Sequence, residues 1–168
     1  MTTIKECVEQ VKMSNEIAGN FNLVTQESLV AQAKVVEEEG KELLEAALDG
    51  NPNEILKECV DVLVTIHGFV AMLEEQGYNV MDAWRDVNTN NLSKFPTSEK
   101  VAYDSVIALS DEGVFCNVEE NSQYQVYVIK NEAGKVMKPI GYKKANVSFF
   151  TPKGIMPKVK IPEQAEVF

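Results

Sequence analysis

Arginine is nearly missing from this sequence: Arg85 is the only one in 168 residues. Lysine does not make up the shortfall. Lys and Arg together number 16 against 26 Asp and Glu, and the net charge is −10. Gripping a nucleic-acid backbone needs a basic face, so no nucleic-acid polymer is expected as a partner. Small phosphorylated ligands stay open, because an acidic protein holds them through metal ions. Cysteine is scarce too. Cys7, Cys59 and Cys116 are odd in number and lack C-x-x-C spacing, which reads as reduced thiols in a cytoplasmic compartment. Long apolar runs are absent. The most apolar stretch, Cys59 to Leu73, is shorter than a bilayer span and contains Asp61, so it reads as a buried helix and no membrane partner is expected. Met1 to Glu16 intersperses Lys5, Glu6, Glu9 and Lys12 with apolar residues, unlike a signal peptide.

What is present is a hydrophobic fraction of 45%, enough for a real core. The charge is unevenly placed. Residues 1–112 carry 21 acids and 8 bases, whereas residues 113–168 carry 5 acids and 8 bases. The texture changes at the same point, from helical periodicity to Pro139, Pro152, Pro157, Pro162 and β-type alternation. The expected organisation is an all-α domain over 1–112 and a basic C-terminal extension over 113–168.

Five helices are predicted in the acidic body. The first runs from about Lys5 to Ala18 and stops near Gly19-Asn20. The second starts near Thr25, with Ser28 as an alternative cap, and carries Leu29, Ala33, Val36, Leu43, Leu44 and Ala47 at helical spacing. Asp49-Gly50-Asn51-Pro52 turns the chain, with Asn51 as cap and Pro52 opening the third helix, which continues to about Gln76-Gly77. The fourth covers Val80 to about Asn91. The fifth covers about Pro96 to Asp111, with Thr97 or Ser98 near its start. In the extension, Tyr124, Val126 and Val128 alternate, Asn131 to Gly134 reads as a turn and Val136 follows, a small β-hairpin. The fold class is therefore an all-α bundle around a central antiparallel helix pair, with a loop-rich tail.

Two acidic pairs carry the chemistry. Glu39-Gly-Lys-Glu42 and Glu58-Cys-Val-Asp61 each have i, i+3 spacing, so each pair shares one helix face. The turn near Gly50 makes their helices antiparallel and lies midway between Glu39 and Asp61, and between Glu42 and Glu58. The register sets Glu39 level with Asp61 and Glu42 level with Glu58. The two levels are about 4.5 Å apart at the helical rise. Helix glutamates are ordinarily solvated, and Glu37, Glu38 and Glu45 fit that description. Glu39, however, stands between Val36 and Leu43 inside the apolar stripe, and Asp61 is surrounded by Val60, Val62, Leu63 and Val64. Carboxylates buried together repel, and cations remove that conflict. An all-oxygen set suits Mg²⁺, with Mn²⁺ as a substitute, and Mg²⁺ shares its sites with substrate phosphates. The pattern points to phosphoryl or pyrophosphoryl chemistry.

The run Val36 to Ala46 followed by Glu58 to Leu63 resembles the E-x-x-E…E-x-x-D signature of the all-α nucleoside triphosphate pyrophosphohydrolases. That superfamily holds MazG, dimeric dUTPases and phosphoribosyl-ATP pyrophosphohydrolases. Trp84 to Phe95 resembles the N-x-S-K element of the phosphoribosyl-ATP-pyrophosphohydrolase-like branch, common in bacteriophages, and Gly134 to Ala145 resembles that branch's tail. The resemblance implies cleavage between the α- and β-phosphates of a nucleotide, giving a monophosphate and pyrophosphate. It implies Glu39, Glu42, Glu58 and Asp61 as Mg²⁺ ligands, Glu38 as candidate general base, and Asn91 and Lys94 as phosphate-binding residues. Where relatives often have His before N-x-S-K, this chain has Asn88.

Tyr142, Lys143 and Lys144 are read either as closing over the acidic site onto phosphates or as a tail strapped across a neighbouring subunit. Asn15, Asn20 and Gln32 are candidate base contacts. His67 and Trp84 fit core roles better than functional ones. Because the third helix is apolar on more than one face, a homo-oligomer, dimer or tetramer, is expected. Three functions remain: hydrolysis of deoxynucleoside triphosphates such as dGTP or dATP, in a host cytoplasm if the chain is phage-encoded; hydrolysis of phosphoribosyl-ATP; and a non-enzymatic acidic helical interaction protein.

Overall fold

The computed structural model of the protein describes residues 3–19 and 24–152. Its elements are α1 (Ile4–Ala18), α2 (Gln26–Asp49), α3 (Pro52–Glu75), α4 (Val80–Leu92), α5 (Glu99–Asp111), β1 (Cys116–Asn121), β2 (Val126–Asn131) and a 3₁₀ turn at Val147–Phe150. The protein is mostly helical, with one antiparallel hairpin, as the periodicity predicts.

Local chemistry sets the helix ends. Thr3 and Glu6 form a capping box on α1, each side chain accepting the other's backbone N–H. Thr25 and Ser28 do the same for α2, so both cap candidates are used. Gly50, at φ 73°, stops α2 in a left-handed conformation that any Cβ would strain. Asn51 then accepts the Asn53 N–H at 3.1 Å and Pro52 opens α3. The fifth helix starts later than Pro96: Ser98 is its cap, so α5 begins at Glu99.

The described residues fall into two compact units, one within Met1–Val80 and Thr151–Phe168, the other Met81–Phe150. This boundary does not coincide with the change of charge at 112/113, because the hairpin beyond it packs on α5. In the first unit α3 is central and packs against both α1 and α2. Val8, Ala46, Ala71 and Met72 are buried, and Gly68 lets the three helices approach. A Cβ at Gly68 would stand 3.3 Å from Gln32 Nε2 and 3.6 Å from Asn15 Nδ2. Much of the remaining apolar surface of α2 and α3 is exposed, including Leu44, Leu48, Leu56, Val60, Leu63 and Val64.

In the second unit β1 and β2 pair from Cys116 with Asn131 to Asn121 with Val126. The hairpin therefore turns at 122–125, not at the expected Asn131–Gly134. That second turn exists, closed by Lys135 N donating to Asn131 Oδ1 at 2.8 Å, but it leads to a single bridge between Lys130 and Val136. The missed strand, Cys-Asn-Val-Glu-Glu-Asn, is rich in residues with little intrinsic strand preference and is held by its partner and by α5. Ile129, Ala102 and Ser105 form the unit's fully enclosed core. Burying an isoleucine of this kind contributes about 1.5–3 kcal/mol.

Candidate active site

The two-residue link between α2 and α3 brings their acidic faces together. Glu39, Glu58 and Asp61 each present a carboxylate oxygen, and the three oxygens lie within 4.8 Å of one another. Glu58 is buried and the other two are half-buried. Glu42 is exposed and outside this group, although partial desolvation, then Glu39 and Glu58, hold its carboxyl above the usual carboxylate range. Glu38 is also exposed, on the turn beside Glu39.

One atom decides how the group is read. Glu58 Oε2 is buried and has no hydrogen-bond partner among the described residues. A buried carboxylate oxygen left without a donor costs several kcal/mol. Its sister oxygen, Oε1, accepts from Lys57 Nζ at 2.8 Å, and the same ammonium lies 3.2 Å from Asp61 Oδ2. These bonds, to Glu58 first, raise the Lys57 amine above the ordinary lysine range. Three convergent carboxylates, one of them carrying an orphaned oxygen, fit a hard divalent cation. Mg²⁺ and Mn²⁺ both meet that description.

Along α3 from this group, Asn15 and Gln32 meet at Gly68, and Gln32 Nε2 donates to Thr65 O at 3.0 Å. Asn20 lies outside the described residues. His67 is half-buried within α3.

The other candidates belong to the second unit. Lys94 Nζ donates to Asn91 Oδ1 at 2.9 Å, so the two N-x-S-K side chains are paired. Tyr142 Oη donates to Asn90 Oδ1 at 2.6 Å, and Asn90 Nδ2 donates to the Lys143 carbonyl. One asparagine thus clamps the tail segment onto α4. The segment is fixed again where Ile140 N donates to the buried Ser105 Oγ at 2.9 Å. Lys143 and Lys144, with Asp86, Thr89, Ser93 and Phe149, border an open cavity of about 360 Å³. Neither lysine forms an ion pair among the described residues.

Sequence reasoning missed Lys57 and Asn90. Lys57 was findable, since i, i+4 pairing with Asp61 is a helix-surface rule. Asn90 was not, because the Asn88-Thr-Asn-Asn run offers three asparagines without a sign of which one meets the tail.

A helical domain with carboxylates converging from an antiparallel helix pair is what the resemblance to the all-α nucleoside triphosphate pyrophosphohydrolases implies. Within it, residues 19–91 match the family described as phosphoribosyl-ATP pyrophosphohydrolase, and this part of the chain is a domain of that family. Its members are nucleotide pyrophosphohydrolases acting on acid anhydrides. The match contains all four acidic residues and Asn91, and ends before Lys94 and the tail. No curated protein and no solved structure matches the chain.

Proposed function

We propose that the enzyme hydrolyses a deoxynucleoside triphosphate between its α- and β-phosphates, releasing the monophosphate and pyrophosphate, with Mg²⁺ held by Glu39, Glu58 and Asp61 and with Glu42 beside them at the exposed rim. The orphaned, buried Glu58 Oε2 carries the reading: a cation there satisfies an oxygen that nothing among the described residues satisfies. When bound, the metal neutralises phosphate charge and lowers the pKa of the attacking water. Glu38, one residue from the ligand set, takes that water's proton. Asn91 and Lys94, which lie in the second unit, are the residues that the resemblance assigns to phosphate. Tyr142, whose hydroxyl is committed to Asn90, orients the segment that carries Lys143 rather than touching substrate. Asn15 and Gln32, the candidate base contacts, are held by donating to the Val11 and Thr65 carbonyls. Their meeting point at Gly68 is seven residues from Asp61, about 10 Å along the helix, which is the reach from phosphates to base in a nucleotide.

The exposed leucines of α2 and α3 support a homo-oligomer built on this helix pair. Among the described residues no helix is long and apolar enough to cross a membrane.

A panel of ribo- and deoxynucleotides and phosphoribosyl-ATP, assayed with Mg²⁺ and resolved for mono- and diphosphate products, tests the proposal. Pyrophosphate release from a deoxynucleoside triphosphate, abolished in Glu39→Gln, is the expected result. Turnover of phosphoribosyl-ATP alone would keep the bond type and replace the substrate. No turnover of any of them by folded protein would overturn the reading and favour an acidic interaction module.

A further inference from the structure

Lys57 reaches into the carboxylate group from solvent. Its side chain is 60% exposed, while that of its partner Glu58 is 10% exposed. The ammonium contacts two of the three carboxylates at once, 2.8 Å from Glu58 Oε1 and 3.2 Å from Asp61 Oδ2. Asp61 is one helical turn further on, so this bridging costs the lysine stem no unusual conformation. Glu39, on the facing helix, has no ion pair among the described residues. Lys41, the nearest lysine on α2, pairs instead with Glu37, outside the group and with both side chains about two-thirds exposed.

A divalent cation held by these carboxylates at about 2.1 Å would sit on the order of 5 Å from the ammonium. Two like charges that close, drawing on the same two carboxylates, repel one another. The ammonium is the one free to leave, because it hangs on a flexible stem whose outer part is already in water.

We propose that Lys57 is a tethered counter-ion: it holds the Glu58 and Asp61 carboxylates together, competes with the divalent metal for them, and is released to solvent when the metal binds. This rests on the metal site proposed above. The lysine then does two things. It keeps the acidic faces of α2 and α3 from repelling one another when no metal is bound, and it weakens metal affinity, so that the metal is retained best when a phosphorylated substrate adds its own oxygens.

The test is Mn²⁺ binding by the full chain, measured calorimetrically at constant pH and ionic strength. Lys57→Met is compared with wild type, and Lys41→Met controls for the loss of one positive charge. Lys57→Met is expected to bind roughly tenfold tighter, the scale of a lost charge-assisted hydrogen-bond pair, with Lys41→Met within about twofold of wild type. A second readout needs no variant. Acylation of lysine amines in the wild-type chain, followed by mass spectrometry, should show Lys57 modified several-fold faster at saturating Mg²⁺, with Lys41 unchanged. Equal or weaker Mn²⁺ binding by folded Lys57→Met overturns the counter-ion, as does a Lys57 acylation rate that metal leaves unchanged. A wild-type chain that binds no Mn²⁺ overturns the metal site itself and the counter-ion with it.

Discussion

Replacing Glu58 with glutamine should make the protein more stable when divalent metal is withheld and less stable when it is supplied. The magnitude follows from the geometry. Glu58 lies within 4.8 Å of two other carboxylates, each repelling it by about 3.5 kcal/mol at an effective dielectric of 20. Lys57 at 2.8 Å returns about 6 kcal/mol on the same scale. Solvent screening shrinks both figures, since the Lys57 and Asp61 side chains are 60% and 40% exposed. The remaining balance is slightly repulsive before the burial of Oε2 is added. Glutamine is nearly isosteric, keeps an oxygen for Lys57, and offers an N–H to Glu39 or Asp61 where the carboxylate offered another negative oxygen. The expected gain in EDTA is about 1–2 kcal/mol, or roughly 2–8 °C in Tm for a chain of this size. In Mg²⁺ at a hundredfold excess over Kd, wild type gains about 2.7 kcal/mol and the variant nothing, so the two melting curves exchange order. Differential scanning calorimetry with EDTA and with graded Mg²⁺ reads both effects. A Glu58→Gln chain that melts below wild type in EDTA would refute the reasoning, because Glu58 would then be satisfied by Lys57 alone.

Ser105→Ala removes a fully buried hydroxyl that donates to Val101 O at 2.5 Å and accepts from Ile140 N, and should cost about 1–3 kcal/mol in urea unfolding. Asn90→Ala releases both the Tyr142 hydroxyl and the Lys143 carbonyl, so a lysine-specific protease should cut at Lys143 or Lys144 several-fold faster while α5 and the hairpin stay protected. Leu48→Glu combined with Leu56→Glu places charge on side chains 78% and 67% exposed in the single chain; sedimentation should show a smaller assembly with unchanged helicity, and a wild type that already sediments as a monomer would refute an interface on this face. Gly50→Ala forces a Cβ into a φ of 73° and should destabilise the α2–α3 turn by about 1–2 kcal/mol, read by thermal melting.

The helical unit was legible in the sequence because each of its determinants is local. Thr25 announces where α2 begins, and Gly50, Asn51 and Pro52 announce, in consecutive residues, where it ends and α3 begins. Once two helices meet through a two-residue link, the rise per residue sets which side chains are level, and Glu39, Glu58 and Asp61 follow. The same arithmetic set Glu42 level with Glu58, yet Glu42 lies outside the group of three. Register along an axis says nothing about rotation around it, and Glu42 is turned to solvent at the edge of the helix pair.

The second unit resisted the same treatment because its contacts join residues far apart in the chain. Tyr142 meets Asn90 across 52 positions and Ile140 meets Ser105 across 35. No periodicity encodes such pairs. They depend on a polar side chain finding a hydroxyl or a backbone group that the tail has left unpaired, and every asparagine and serine in the sequence is formally able to do it. β1 failed for a related reason: its strand character comes from its partner and from α5, not from its own residues. The metal group and the tail therefore answer to different physics. The first is built into one helix hairpin, so a change in it should alter metal binding and stability together. The second is an assembly of single hydrogen bonds, so removing one should loosen the tail while leaving the carboxylates where α2 and α3 put them.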